Sequence, residues 1–230
     1  MNRAILATLL LLAFVLPALP ADAVRVPPGA SDEGDYSFAE VIKSTTGFQV
    51  IAFDATKSAH GELLERLQKV ARRAANQAKK KGIRKARANE VGNAMEGFVL
   101  EAMVAENVAA ARPKTQSGRT LSVGYPDFDL NGEPACYVEL KTYNAKTANS
   151  TQRTFYYSPS ADPKITHDAL HLLLAFQMVQ TEEDGRSVWR PDRFQITSLD
   201  QMEVKLKVEY NQSNRGLYAG PHTLADELVE

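Results

Sequence analysis

Cysteine is nearly missing from this chain. Cys136 stands alone among 230 residues, which excludes an intrachain disulfide scaffold. An excess of either charge is missing as well. Lys and Arg number 27 against 28 Asp and Glu, a formal net charge of −1. That balance disfavours a cationic nucleic-acid coat protein, although local basic patches stay open. There is no internal repeat and no low-complexity tract. With 44% hydrophobic residues and little net charge, disorder is excluded as a description of the whole chain. What is left is an ordinary globular composition, long enough for one domain of catalytic size.

The amino-terminal stretch reads differently from the rest. Arg3 precedes an apolar run from Ala4 to Leu16, followed by Pro17, Pro20 and Ala21-Asp22-Ala23. A basic start, an apolar middle and a small-x-small site are the pattern of a secretory signal peptide. The run is too short and too broken by proline for a membrane span, which needs about 20 apolar residues. Residues 1–23 are therefore expected to be a signal peptide cleaved after Ala23, with a periplasmic or secreted product. A misassigned start would instead make the protein cytoplasmic. Residues 24–40, rich in Pro, Gly and acids at their start, read as a linker or disordered arm, and 41–230 as the folded domain.

Hydrophobic spacing sets out the elements of that domain. Phe48–Phe53 is a short strand candidate. Gly61 to Lys81 carries Leu63, Leu64, Leu67, Val70, Ala71 and Ala74 at helical spacing, with a cationic opposite face from Arg66 onward. A second helix runs from Ala88 to Ala111, with Val91, Met95, Phe98, Val99, Ala102 and Met103 as its stripe, and Pro113 beyond its end. Punctuation then turns strand-like. Leu121–Leu130 and Ala135–Thr142 flank Asn131-Gly132, a hairpin signal. Residues 144–163 are polar and read as a loop. Leu172–Gln180 is apolar enough for a buried strand or a buried helix, and Asp184-Gly185 after it favours the strand of a second hairpin. Met202 to Tyr210 alternates cleanly.

Chemistry concentrates in Gly124-Tyr-Pro-Asp-Phe-Asp129 and Tyr137-Val-Glu-Leu-Lys141. Side chains alternate across a strand, so Glu139 and Lys141 share a face and Leu140 takes the other. Alone, such a pair reads as solvated charge on an edge strand. Asp127 alters that reading. If the connection between the strands is odd and centred on Glu133, Asp127 lies opposite Glu139 on the same face. Two carboxylates that close repel each other unless a cation sits between them. A hard divalent ion suits their oxygens, Mg²⁺ first and Mn²⁺ second. Beside it, Lys141 can orient or deprotonate a water and stabilise a developing phosphorane charge. A two-residue Asn131-Gly132 turn would send Asp127 to the opposite face. Asp129 shares the parity of Asp127 and competes with it.

Pro126-Asp127, eleven intervening residues and Glu139-x-Lys141 together resemble the PD-(D/E)xK nuclease superfamily, of restriction-endonuclease-like fold. Asn89-Glu-Val-Gly-Asn-Ala-Met-Glu96 looks like the upstream helix that donates another acid in many of these enzymes. The runs Glu139–Asn144, Ser150–Pro159 and Val204–Tyr218 are similar to type II restriction enzymes, so the resemblance spans about residues 60–220. It implies an α/β fold, a mixed sheet flanked by helices. It also implies a Mg²⁺-dependent endonuclease acting on double-stranded DNA, and it is compatible with a homodimer. Asp127 and Glu139 would bind the metal, Lys141 would assist the water, and Glu96 would be the helix acid, with Glu90 and Glu101 as competitors.

Two further features have plain readings beside functional ones. His167 and His171 would suit a zinc pair on a helix, but no third ligand is evident, and DNA contact or core packing fits them better. The basic face from Arg66 to Arg87 is either a solvated helix face or a grip for phosphates. A silent DNA-binding protein of the same fold is the rival to an enzyme. It would not need Asp127, Glu139 and Lys141 together.

Overall fold

The computed structural model describes residues 35–121, 123–151 and 154–206, together with Ser213 and Leu224. The expected signal peptide at 1–23 and most of the Val204–Tyr218 run lie outside the described residues. The described residues begin at Asp35, inside the stretch expected to be a linker. Strand β1 (Asp35–Ser37) pairs antiparallel with β9 (Glu203–Lys205), and helix α1 (Phe38–Thr46) follows at once. The linker assignment for 24–40 is thus too long at its end. Phe38 and Ile42, one helical turn apart, are fully buried and give α1 its reason to fold. Gly47, at φ 84°, ends it.

Seven strands form the main sheet, along the path β3-β8-β7-β6-β5-β4 with β2 paired to β7. Strand β2 is Val50–Ile51, β3 is Ile83–Arg84, β4 is Ala110–Ala111 and β5 is Phe128–Leu130. The long central members are β6 (Cys136–Asn144), β7 (Ala169–Glu183) and β8 (Arg186–Ser198). Strand β6 runs parallel to β7 and antiparallel to β5, so the sheet is mixed. The β7–β8 turn has Asp184 at φ 51° and Gly185 at φ 68°. Paired positive φ values match the strand twist, as the Asp-Gly signal implies. The expected strand at 121–130 survives only as Phe128–Leu130.

Helices α2 (Ser58–Lys81) and α3 (Ala88–Ala105) cover one face of this sheet. Leu63, Leu67, Val70 and Ala74 of α2 and Val91, Met95 and Val99 of α3 join the same core as Phe128, Val138, Leu140, Leu172 and Leu174. Those strand positions are all even-numbered. The odd positions Tyr137, Ala169 and Leu173 belong to a second cluster with Phe38, Ile42 and Ile165, so α1 lies against the other face. Gly82 closes α2 because nothing else fits. Its φ is 68°, and a Cβ there would stand 2.7 Å from Val188 Cγ1. The second helix stops at Ala105 rather than Ala111, because Ala110–Ala111 is drawn into the sheet as β4 beside β5. This mixed sheet flanked by three helices is the α/β, restriction-endonuclease-like architecture that the sequence led us to expect.

Candidate active site

Register decides where the acids stand. Strands β5 and β6 pair Phe128 with Val138, Asp129 with Tyr137 and Leu130 with Cys136. The connection Asn131–Ala135 is therefore odd, centred on Glu133, and the two-residue Asn131-Gly132 turn does not form. Extending the same register places Asp127 opposite Glu139. Asp127 Oδ2 accepts a hydrogen bond from the Leu140 amide at 2.8 Å, which fixes this carboxylate against β6 just where β5 begins.

Strand β6 is central rather than an edge, and Glu139 is only 3% exposed. The reading of Glu139 and Lys141 as a solvated edge pair therefore fails. Glu139 Oε1 accepts a hydrogen bond from Lys141 Nζ, while Oε2 is buried with no hydrogen-bond partner. Burial first, and the nearby Asp127 charge second, push the Glu139 carboxyl up to about 7. Lys141 pulls the other way but does not win. An unpaired buried oxygen next to a second carboxylate is what a hard cation would relieve.

A second lysine, which the sequence did not single out, completes the surroundings. Lys164 is 6% exposed and donates to the carbonyls of Gly124 at 2.6 Å and Pro126 at 3.1 Å. Burial holds its pKa below the ordinary lysine range, and the charges of Asp127 and Glu139 draw it back up. Nothing local in the sequence marks Lys164; its signal is the turn it reaches, about forty residues away.

Glu96 lies on α3, half-buried, with its carboxylate paired to Arg112. Both charges act on Lys164, so this pair borders the same region. It does not form a tripod with the other two acids. Among the described residues, no group of three or more His, Cys, Asp or Glu is gathered closely enough to hold a metal ion. Glu90 is half-buried and Glu101 is exposed on the same helix. The backbone of Asn89 is helical; its side chain lies outside what is described.

Two carboxylates still fit Mg²⁺, which is commonly held by one or two protein carboxylates with water and substrate phosphate filling the rest. Asp127 and Glu139 would be the holders. Asp129, opposite Tyr137, faces His167 instead, with Oδ1 and Nε2 3.7 Å apart. Tyr137 Oη lies 3.0 Å from His167 Nδ1, and Tyr125 Oη 2.6 Å from His171 Nδ1. His171 is fully buried, and burial drives its pKa down to about 3, so it stays neutral. The two histidines are thus packing groups under the site rather than a helical metal pair.

Beyond Lys141, the face that carries the carboxylates opens into a cleft of about 590 Å³, lined by Tyr143, Gln177, Arg193 and Gln195 among others. Its lining is mainly polar and uncharged. The basic face of α2 belongs to the opposite side of the sheet, where α2 packs, and is best read as a solvated helix face.

Comparison with known proteins places the chain in one family. A family model described as the type II restriction enzyme MjaV family matches residues 31–221. One relative, "Type II restriction enzyme MjaV" of Methanocaldococcus jannaschii, is 36% identical over 199 residues, covering 79% of this chain and 84% of its own length. No solved structure matches the chain. The matched span takes in Asp127, Glu139, Lys141, Glu96 and Lys164, and the chain belongs to the type II restriction enzyme MjaV family.

Proposed function

We propose that the protein is a metal-dependent endodeoxyribonuclease, cutting phosphodiester bonds in double-stranded DNA at the Asp127–Glu139–Lys141 site. Family membership supports a restriction-like endonuclease with DNA as substrate. The observation that carries the finer reading is the opposition of Asp127 and Glu139, with Glu139 Oε2 buried and unsatisfied.

Asp127 and Glu139 would hold Mg²⁺, or Mn²⁺ in its place. The ion supplies Lewis acidity toward the phosphate and lowers the pKa of a bound water. The chain's own groups do the positioning. Glu139 keeps Lys141 on the odd face of β6, so its ammonium can lie against the attacking water and the phosphate. There it stabilises the extra negative charge of the five-coordinate phosphorus. Asp127 is restrained by the Leu140 amide, which limits its swing and fixes the line of attack. Glu96, held by Arg112, would join the metal only on release of that partner. The cleft beyond Lys141 offers the duplex amide and guanidinium donors suited to base edges.

Export is part of the proposal and rests on residues 1–23, which lie outside the family match. Within the described residues, no helix is long and apolar enough to cross a membrane. A homodimer would give one site per strand of the duplex.

The test is direct. Purified protein is incubated with supercoiled plasmid and Mg²⁺, with and without excess EDTA, beside Glu139→Gln. Cleavage should need the metal and be lost in the variant. Undiminished cutting in EDTA would refute the two-carboxylate site. DNA binding without cutting in any divalent metal would favour the silent binding protein.

A further inference from the structure

Asp127 stands just ahead of a strand of only three residues, in a turn that regular sheet pairing does not hold. Gly124 lies in that turn at φ 83°, a left-handed conformation that glycine adopts without strain. The Leu140 amide holds the Asp127 carboxylate and Tyr125 Oη meets His171 Nδ1, but the turn's carbonyls on either side of Tyr125 need a partner of their own. The carbonyls at 124 and 126 both converge on Lys164 Nζ, and charge-assisted bonds to a buried ammonium are strong ones. The far end of this lysine is itself fixed. The Thr166 amide donates to Tyr137 Oη at 3.0 Å, and Pro163 O accepts from the Gln116 amide at 3.0 Å. Tyr137 lies two residues before Glu139 on the same strand and face. A chain of contacts thus runs from the turn bearing Asp127, through Lys164, to the strand bearing Glu139.

We propose that Lys164 is a positioning residue, locking the Gly124–Pro126 turn to β6 so that Asp127 stays opposite Glu139 at metal-holding distance. This rests on the two-carboxylate reading above and assigns it a new part. Lys164 donates to backbone carbonyls and leaves the carboxylate oxygens free, whereas Lys141 occupies Glu139 Oε1 directly.

Charge and geometry make opposite predictions, which decides the matter experimentally. If Lys164 acted only as a nearby cation, it would repel a divalent ion, and removing it would tighten metal binding. If it positions Asp127, removing it loosens binding. Mn²⁺ alone is titrated into the full-length protein by electron paramagnetic resonance, for wild type, Lys164→Met, Lys164→Arg and Glu139→Gln. Unfolding midpoints are recorded on the same samples.

We expect Lys164→Met, which keeps the aliphatic stem, to bind Mn²⁺ at least tenfold more weakly. Lys164→Arg, with its charge and donors retained, should recover most of that loss. In cleavage assays the Met variant should need more Mg²⁺ for half-maximal rate, with a smaller loss at saturating metal. Unchanged Mn²⁺ affinity beside a lowered unfolding midpoint would make Lys164 merely structural, and tighter binding would make it merely a charge. Either result overturns the proposal. Should the Met variant fail to fold, Lys164→Gln, neutral and about one bond shorter, is read by the same sign. Glu139→Gln separates the two levels. If it binds Mn²⁺ as wild type does, the carboxylate site itself is wrong and the role of Lys164 falls with it.

Discussion

Glu139 is a residue the fold retains at a cost to stability. Its carboxyl, at about 7 in the folded protein against 4.5 in its ordinary state, keeps its proton through a window in which the unfolded chain has lost it. Its contribution to stability therefore declines as pH rises from about 4.5 to about 7, by up to about 3 kcal/mol in the absence of metal. His171 works in the opposite sense. Held neutral down to about 3, it makes folding less favourable as pH falls below the ordinary histidine value. Comparing Glu139→Gln with wild type cancels the histidine. In EDTA, the variant should match wild type near pH 4.5 and be more stable at pH 8, by chemical denaturation, while cutting no DNA. A variant no more stable at pH 8 would mean the carboxylate is better solvated than its burial indicates. Lys141 should behave differently. Lys141→Ala should lower kcat by about 10²–10³ while leaving DNA affinity within a few fold, because its partner is the charge that develops in the transition state. Collapse of binding with turnover preserved would make it a phosphate anchor.

At the scale of elements, the β5–β6 connection carries the site, and its parity was readable in advance only as a condition. Alternation alone put Glu139 and Lys141 on one face of a strand. Whether Asp127 joined them hung on one residue more or less in the Asn131–Ala135 connection, because a single-residue slip turns every side chain over. Asn-Gly argued locally for a two-residue turn, and tertiary pairing overrode it. Deleting Gly132 should therefore abolish cleavage and lower the unfolding midpoint. Gly132→Ala should do neither, since a Cβ there meets nothing within 4 Å. A deletion variant with full activity would show that the register is not what places Asp127. The helices α2 and α3 were legible because their buried faces repeat at three and four. Helix α1 was not, since Phe38 and Ile42 follow a Pro- and Gly-rich stretch that reads as linker. Lys164 was illegible for a related reason. A lysine in a polar loop is ordinarily solvated, and only the folded turn around Gly124 and Pro126 makes it a buried tether. Glu96 was readable as a helix acid on the correct element, but its pairing with Arg112, sixteen residues on, was not.

At the scale of the whole molecule, the question is how an endonuclease of this family would tolerate an oxidising compartment. The chain has one cysteine, on central strand β6, fully buried among apolar side chains. Burial pushes its thiol far above the usual range, so the reactive thiolate is suppressed. A protein of this make-up needs no disulfide to fold and has no exposed thiol to cross-link. That is compatible with export, and it yields a measurement independent of the leader. In the native protein Cys136 should resist a thiol reagent such as 5,5′-dithiobis(2-nitrobenzoate), reacting fully only in denaturant. DNA cleavage should be the same in oxidised and reduced glutathione. The leader makes its own prediction: mass spectrometry of protein recovered outside the cytoplasm should find Val24 as the first residue. Protein that keeps residues 1–23 and stays with the cytoplasmic fraction would end the export proposal. The proposed site of Asp127, Glu139 and Lys141 would stand unchanged, because all three residues lie within the family match and outside residues 1–23. Compartment and chemistry are thus separable here. If export holds, the enzyme is kept from the cell's own chromosome by a membrane, and the DNA it meets is DNA from outside.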